Sequence, residues 1–290
     1  MKNKMVWILS SVAILITAVI IFFMIPYSIT EDGFQKDVQR HSEQSIIQLG
    51  VFTEQDIEVL PVPVQNHFRV AGYIDIPKME SMTACVQSAS LRESNGKSPM
   101  NIRYTVYSFA HTPIRLAYIK SSILGIPFEV YDSTQNGIGF MKGVVAKLFT
   151  IFNETGPEMD KSQLLTYLSE CFLVPSSIIS EYITWEPIDV NHVKAAIAYK
   201  GVSGSGIFTF YDNGLVQSFF TSERARIETN GKIDYPGWSI VYEDYYENNG
   251  VCIPKTVKTI WHEDDGDLVY FYTNNFNITF DSFSQKKGVF

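Results

Sequence analysis

The first thirty residues form the most strongly apolar stretch of the chain. After Lys4 no charged side chain occurs before Glu31. That run exceeds the ~20 apolar residues that a helix needs to cross the hydrocarbon core of a bilayer. A cleaved signal peptide would have a shorter apolar segment followed by small residues, whereas bulky Phe22 and Phe23 occupy that end here. We therefore expect residues 1–29 to form a cytoplasmic tip and a retained single-pass anchor.

A polar, helix-compatible segment follows the apolar run. Its apolar stripe is sparse, with Phe34 as one large member, and this pattern favours a stalk helix. Further along, Thr53 and Asp56 have the spacing of a helix capping box. We expect stalk or linker helices over residues 30–60 and a folded extracytoplasmic domain over residues 61–290.

Beyond residue 80, apolar and polar positions alternate in a series of runs separated by turn signals. The clearest signals are Asn136-Gly137 and Asn249-Gly250, because such dipeptides favour tight hairpins. About ten such runs with short links predict a mostly antiparallel sheet. One helical stretch, residues 160–181, interrupts the strands and has Asp160 as its expected N-cap. Strands that dominate, with helices in two places, predict an α+β fold.

Composition narrows the range of partners. The chain has 290 residues, of which 46% are hydrophobic and 14% aromatic, and its net charge is −8. An acidic chain lacks the basic surface that binds nucleic acid, so no nucleic-acid partner is expected. The three cysteines lie far apart in sequence. They are expected to be unpaired core residues, and a bridge between Cys85 and Cys252 is left open.

Three features that could carry chemistry have simpler explanations. None of the five histidines has the spacing of a metal site, so ordinary surface or core histidines are expected. The segment GVSGSG has Ser205 where a nucleophile elbow needs glycine, and it predicts a flexible strand connection. The acidic segment at residues 262–267 lacks the ligand spacing of a calcium loop and predicts a solvated hairpin turn. No metal, cofactor or catalytic residue is assigned on this basis.

The helical stretch at residues 160–181 contains the ionisable residue of greatest interest. On a helical wheel Leu164, Leu168 and Phe172 lie within one apolar arc, and Glu170 lies on the polar side. Two interpretations of Glu170 are open. It is either a solvent-facing carboxylate, as exposed glutamates usually are, or a carboxylate that lines a pocket beneath the helix.

The order of several short motifs resembles an uncharacterised prokaryotic family, often membrane-anchored, that is known only as a domain of unknown function. The resemblance runs over about residues 58–283, and its motifs include LPVPVQNHFRVAG, LLTYLSECFLVPSSI and PGWSIVYEDYYENNGVCIPKTVKTIW. The family usually has arginine where this chain has Thr166. That departure leaves open whether Glu170 has an arginine partner.

More remotely, the layout resembles the lipoprotein-carrier and lipoprotein-sorting fold. This resemblance implies a curved antiparallel sheet, like half of a barrel, that is lidded by helices and encloses an apolar cavity. Fold analogy alone does not establish a function. The residues expected to line the cavity and bind a ligand are Leu168, Glu170, Phe172, Phe210 and Phe220.

Three functions are compatible with these features. The first is a membrane-tethered extracytoplasmic domain that binds a lipid, a lipoprotein acyl chain or another hydrophobic ligand. The second is an envelope scaffold without a ligand, and the third is a hydrolase that uses carboxylates such as Glu170, Asp132 or Asp189. Lys2 and Lys4 precede the apolar run, which predicts a cytoplasmic N-terminus and a domain outside the cell membrane.

Overall fold

The structure is a computed structural model that describes residues 2–45, 50–227 and 231–280. Residues 46–49 of the predicted stalk and residues 281–290 of the predicted domain lie outside the described residues. The helices are α1 (Lys2–Met24), α2 (Ile29–Gln44), α3 (Glu54–Ile57), α4 (Val62–Val70) and α5 (Pro157–Ser169), with 3-10 turns at Cys171–Leu173 and Pro175–Ser177.

Two helix starts test the expectations from local sequence. α3 begins with the predicted capping box, in which the Thr53 hydroxyl accepts from the Asp56 N–H and the Asp56 carboxylate accepts from the Thr53 N–H. α5 begins at Pro157 and not at Asp160, so the predicted N-cap is wrong. Asp160 lies within the first turn, where its carboxylate accepts a hydrogen bond from the Gly139 N–H at 2.7 Å. That bond ties α5 to the sheet.

Most of the strands belong to one antiparallel sheet. The strands are β1 (Ser81–Leu91), β2 (Met100–Phe109), β3 (Ile114–Ile123), β4 (Ile126–Gln135), β5 (Ile138–Val145), β6 (Phe149–Thr155), β7 (Ile183–Pro187), β8 (His192–Tyr199), β9 (Val202–Phe210), β10 (Val216–Thr221), β11 (Arg226–Ile227), β12 (Ile233–Asp234), β13 (Gly237–Asn248), β14 (Val251–Glu263), β15 (Gly266–Thr273) and β16 (Ile278–Phe280). The order in the sheet is β6-β5-β4-β3-β2-β1-β15-β14-β13-β10-β9-β8-β7, with β16 also beside β1 and β11-β12 as a separate ribbon.

The large sheet is curved and does not close into a barrel. Its order ends at β6 on one side and at β7 on the other, and every described pairing is antiparallel. Strands β1 to β6 form one meander, strands β7 to β10 and β13 to β15 form a second, and the two join where β1 pairs with β15. The predicted α+β fold with a curved, half-barrel-like antiparallel sheet is confirmed.

Helices pack on both faces of the sheet. On one face Leu164 and Leu165 of α5 belong to the main hydrophobic core, together with Phe208 of β9. On the opposite face, Phe34 of α2 packs on Tyr118 and Tyr131, with ring centroids 5.3 Å and 5.5 Å apart. The helix that was predicted as a stalk is therefore packed against the sheet.

The segment GVSGSG is mostly strand. Lys200 and Gly201 form the turn between β8 and β9, both with positive φ, and the segment from Val202 onward is β9. The flexible connection predicted for it is therefore wrong beyond Gly201. The glycines have a packing reason, because a Cβ at Gly204 would lie 2.8 Å from Cδ2 of Leu165 and one at Gly206 would lie 2.2 Å from the Phe219 ring. Glycine lets α5 and a neighbouring ring approach the strand closely.

Two strand boundaries differ from the alternation pattern. The sequence at residues 140–154, which follows Asn136-Gly137, has no turn signal and favours one strand. In the structure it breaks into β5 and β6 at Ala146 and Lys147, which both have positive φ. Neither is a residue type that usually marks such a turn. The short strand β7 was not predicted. The last apolar run before the C-terminus divides into two strands, β15 and β16.

Candidate functional site

A buried ion pair joins the end of α5 to strand β3. Glu170 is the residue at which α5 ends, and its carboxylate accepts a hydrogen bond from Arg115 Nε at 2.8 Å. The two side chains are 10% and 4% exposed. Glu170 is therefore not a solvent-facing carboxylate, which was one of the two interpretations of this residue. It has an arginine partner, although the family's usual arginine is absent at Thr166.

Arg115 also binds polar side chains of the two neighbouring strands. Its Nη1 donates to Asp132 Oδ1 on β4 at 3.1 Å, and its Nη2 donates to the Tyr104 hydroxyl on β2. Because β2, β3 and β4 are adjacent in the sheet, residues on one face of the three strands come together. Charge-assisted bonds of this kind are stronger than neutral ones. We call Arg115, Glu170, Asp132 and Tyr104 the charge cluster.

Burial and charge affect the pKa values in the charge cluster differently. Burial raises the pKa of Glu170 above its ordinary value, even though Arg115 lowers it. Burial lowers the pKa of Arg115, but the attraction of Glu170, Tyr104 and Asp132 outweighs it and the pKa is raised. Burial also raises the pKa of Tyr104 well above its usual range, so its hydroxyl keeps its proton. Arg115 is thus a permanent buried charge, and Glu170 is the member of the pair that loses its charge more readily.

A second buried arginine, Arg224, lies between two tryptophan rings. Its guanidinium carbon is 4.8 Å from the ring centroid of Trp238 and 4.9 Å from that of Trp261, which is cation–π geometry. Its Nε donates to Thr166 Oγ1 at 3.1 Å, and burial lowers its pKa. Within the described part of the chain no carboxylate accepts a hydrogen bond from Arg224. Asp132 and Glu170 attract this buried cation from nearby, but both carboxylates bind Arg115. Two indole rings and one hydroxyl are among its direct contacts.

The structure brings most, but not all, of the predicted ligand residues together. Leu168, Phe172 and Phe210 all lie in the main core, and the rings of Phe172 and Phe210 are 5.5 Å apart. Glu170 lies at the end of the same helix as Leu168. Phe220 does not join them, because it is 43% exposed and points away from its buried neighbour Phe219. Leu168, Phe172 and Phe210 are therefore packed side chains of the core.

Two of the cavities in the described part of the chain lie at the surface, and both open to solvent. One, of about 270 Å³, lies where β1, β2 and β15 meet and is lined by residues such as Ser88, Asn101 and Tyr272. The other, of about 330 Å³, lies over β8 and β9 and is lined by residues such as Glu181 and Lys194. Neither includes a predicted ligand residue or a member of the charge cluster.

The carboxylates considered for hydrolysis divide into two groups. Glu170 and Asp132 come together because both bind Arg115. Asp189 lies apart, on the surface, where it accepts from His192 Nδ1 at 2.8 Å. The sequence alone did not show that Glu170 and Asp132 come together, since these two residues lie on different elements.

Two arginines of the site were missed from the sequence. Arg115 left a signal, because it occupies the same alternating set of positions in β3 as Ala117 and Ile119, which pack in or against the core. A charged side chain in register with such positions indicates a buried partner. Arg224 left none, because it follows β10 in a segment without periodicity.

The acidic segment at residues 262–267 forms the β14–β15 hairpin. His262 and Glu263 pair with Asp267 and Gly266 across the turn, and Glu263 forms an ion pair with Arg226. The predicted hairpin turn is confirmed. Among the described residues, no group of three or more potential metal ligands comes together. All three cysteines are free, so Cys85 and Cys252 do not form the bridge that was left open.

α1 is long and apolar enough to cross a membrane, judged by length and composition among the described residues. The apolar side chains along it are exposed in the structure. A signal sequence near an N-terminus would satisfy the same criteria.

Comparison with known proteins identifies the family. Residues 50–273 match DUF6544, a family of unknown function. The chain belongs to that family, which confirms the resemblance to an uncharacterised family. None of the curated proteins compared with the chain matches it. Among solved structures, the chain is remotely similar to a LolA superfamily protein from Nitrosomonas europaea, with a TM-score of 0.41 and 11% sequence identity over 76% of this chain and 92% of that chain.

Proposed function

We propose that this member of DUF6544 is a single-pass cell-membrane protein whose folded domain binds a lipid or another hydrophobic ligand. In this proposal α1 is a retained anchor, the N-terminus lies in the cytoplasm, and residues 31–290 lie outside. The ligand carries an acidic group, which Arg224 recognises. A lipoprotein acyl chain is one hydrophobic ligand of this general class.

The anchor is supported by the properties of α1. Residues 5–30 carry no charge, and the exposed apolar side chains of α1 need a hydrocarbon environment. Lys2 and Lys4 precede the run, and positive residues remain on the cytoplasmic side.

The observation that carries the ligand proposal is the environment of Arg224. A buried guanidinium is costly unless an anion binds it. Glu170 and Asp132 attract the charge of Arg224, but both are bound to Arg115, and the direct contacts of Arg224 include two indole rings and the Thr166 hydroxyl. A carboxylate or phosphate group would supply charge-assisted hydrogen bonds. The rings of Trp238 and Trp261 would at the same time contact the apolar part of the ligand. An acidic amphiphile satisfies both requirements.

Access to Arg224 sets a condition on the proposal. The side chain is only 9% exposed, and the two cavities lie elsewhere. Ligand binding therefore has to move side chains around Arg224, among them Trp238 and Trp261. Tryptophan fluorescence should change when the ligand binds.

The anchor is tested by the accessibility of the domain in intact cells. Protease added outside should remove the folded domain and leave a short membrane fragment that contains α1. A mature protein that begins near Thr30 and is released into the medium would show instead that the segment is a cleaved signal sequence.

The ligand is tested by native mass spectrometry of the full chain after extraction in gentle detergent. The expected result is an additional mass from one bound anionic amphiphile, identified by denaturing the protein and analysing the released lipid. Arg224→Gln should lose that mass while the far-UV circular dichroism remains unchanged. Arg69→Gln is the matched control, because Arg69 lies on α4 and pairs with Glu54 at the surface.

The outcomes separate the proposed function from its main alternative. Retention of the ligand by Arg69→Gln and its loss from Arg224→Gln support the proposal. A wild-type protein that never carries a ligand supports the envelope scaffold, and the aromatic packing around Phe172, which contacts Phe208 and Phe210, favours that alternative.

A hydrolase remains a second candidate because of one observation. Glu170 and Asp132 share Arg115, and burial raises the pKa of Glu170, as a general acid requires. Both carboxylates are occupied by Arg115, however, so a substrate would first have to displace a buried ion pair. Hydrolysis of a chromogenic ester or glycoside that disappears in both Glu170→Gln and Asp132→Asn would favour the enzyme.

A further inference from the structure

Exposed apolar side chains collect in two neighbouring turns of the first meander. The β3–β4 turn presents Ile123, Leu124 and Ile126, and the β5–β6 turn presents Leu148 and Phe149. Leu124 is 99% exposed and Phe149 is 63% exposed. We call these five residues the apolar rim. A contiguous exposed apolar patch usually marks an interaction site.

The two turns lie at the same end of the sheet. β3 ends where β4 begins, with Ile123 opposite Ile126, and β5 ends where β6 begins. A backbone hydrogen bond from the Ala146 N–H to the Pro127 carbonyl, at 2.8 Å, joins the two turns directly. The apolar rim is therefore one surface and not two separate tips.

The end of α1 lies against this surface. Lys147, in the β5–β6 turn, donates to the Phe22 carbonyl at 3.4 Å and to the Ile25 carbonyl. Its ammonium also lies 5.7 Å from the centroid of the Phe22 ring. A cation at the carboxyl end of a helix is favourable. The contact places the apolar rim beside the point where α1 ends.

The backbone at Leu124 makes its exposure more informative. Leu124 has φ of 52° and Gly125 has φ of 82°, so both residues of the turn have positive φ. Asparagine and glycine favour this conformation, and other residues adopt it at a cost. The β4–β5 turn, at the other end of the same meander, has the favoured pair, Asn136 and Gly137. A leucine at such a position, fully exposed, is unfavourable both for the turn and for solvation.

We propose that the apolar rim inserts into the headgroup boundary of the same bilayer that α1 crosses, so that the sheet stands on the membrane surface. This inference rests on the proposed anchor. The occupant follows from position, because a bilayer that surrounds α1 necessarily reaches the end of α1 that Lys147 contacts. The free energy gained when the Leu124 side chain leaves water offsets the cost of having leucine instead of asparagine in the turn.

The experiment measures the depth of single probes in the full chain reconstituted in phosphatidylcholine nanodiscs. Cys85→Ser and Cys252→Ser remove the two accessible thiols. An environment-sensitive fluorophore is then attached at Leu124→Cys in the apolar rim, at Asn136→Cys in the opposite turn, or at Leu15→Cys within α1. Lipids that carry a nitroxide near the headgroup, or deeper in the chain, report contact by quenching.

The expected result is blue-shifted, strongly quenched emission from the Leu124→Cys probe by the shallow nitroxide. The Asn136→Cys probe should remain unquenched, and the Leu15→Cys probe should be quenched by the deep nitroxide. If Leu15→Cys is quenched and Leu124→Cys is not, the rim proposal is overturned while the anchor stands. If Leu15→Cys is not quenched, the anchor itself fails. A Leu124→Cys probe that is shielded but not quenched, in particles that contain two copies, would assign the surface to a second copy and also overturn the proposal.

A second variant tests whether the apolar side chains cause the contact. Leu124→Asn gives the turn its favoured residue, so it should not destabilise the domain. Combined with Phe149→Thr, it should reduce shallow quenching of a Leu148→Cys probe several-fold while quenching at Leu15→Cys stays unchanged. Undiminished quenching at Leu148→Cys would show that α1 alone holds the turn at the membrane, which contradicts insertion by the apolar rim.

Discussion

His67 should make the stability of the domain fall in mild acid. It lies in α4, is 2% exposed, and its Nδ1 accepts a hydrogen bond from the Val216 N–H at 3.0 Å. The Phe172 ring packs against it with centroids 4.7 Å apart. An imidazole that accepts a hydrogen bond at Nδ1 and is surrounded by apolar rings must be neutral. The sequence predicted an ordinary surface or core histidine at this position, and His67 is a core one.

The size of the effect follows from the pKa values. Burial lowers the pKa of His67 from 6.5 to about 3. Between these two values the unfolded chain binds a proton that the folded chain does not, so folding stability is full above pH 6.5 and is lost as the pH falls towards 3. From pH 7 to pH 5, His67 alone should remove about 2 kcal/mol from the free energy of unfolding.

Urea unfolding of the full chain in nonionic detergent, followed by near-UV circular dichroism, measures this loss at both pH values. His67→Gln keeps a hydrogen-bond acceptor but cannot titrate, so its loss between pH 7 and pH 5 should be smaller than that of the wild type by about 2 kcal/mol. His111→Gln, at an exposed histidine, is the control for removing a histidine from the surface. Equal losses in the wild type and His67→Gln would refute the argument that His67 is buried and neutral.

Three further changes should alter the free energy of urea unfolding at pH 7. Gly206→Ala should cost about 1–3 kcal/mol because the added methyl group would overpack against the Phe219 ring. Gly33→Ala in α2, where a Cβ meets nothing within 4 Å, should instead stabilise the domain by about 0.5–1 kcal/mol. A cost at Gly33 as large as that at Gly206 would contradict this reasoning. Trp238→Ala should cost about 3–5 kcal/mol because Trp238 is 1% exposed, and equal losses at the half-buried Trp185 would show that burial does not set the cost. Glu170→Ala should cost about 3–5 kcal/mol because it leaves Arg115 buried with one carboxylate partner. A loss below about 1 kcal/mol would mean that Glu170 and Arg115 do not form a buried ion pair.

Local chemistry made much of the fold predictable. The capping box at Thr53 and Asp56 formed as expected, and the turn at Asn136-Gly137 joins two strands where the alternation of side chains required it. In each case the residues that determine the structure lie within a few positions of each other. The split of one apolar run at Ala146 was not predictable in the same way, because alanine does not favour positive φ. Contacts with a neighbouring part of the sheet and with a helix stabilise that turn.

The site depended on contacts between distant parts of the chain. Glu170 and Arg115 lie on different elements, and only the packing of α5 against the sheet, on strands such as β4, β5 and β9, brings the two side chains within 2.8 Å. The helical wheel placed Glu170 on a polar side, but it could not show that the polar side would face the sheet. Arg224 depends on Trp238 and Trp261, which belong to strands that follow it in sequence. The residue pattern within one helix or strand does not specify contacts that join three separate elements.

The junction of the two meanders has a consequence for the order of assembly. In the first meander each strand pairs with the one before it, so β1 to β6 can form while the rest of the chain is still being synthesised. The second edge of β1 has no partner until β15 and β16 emerge, and it is then joined by only a few paired residues, such as Leu91 with Phe271 and Ala84 with Ile278. Contacts that are far apart in sequence form slowly, and an unpaired strand edge can recruit other chains in the interval. The junction is therefore where a translation pause or a premature stop would leave an intermediate whose unpaired strand edge can bind other chains.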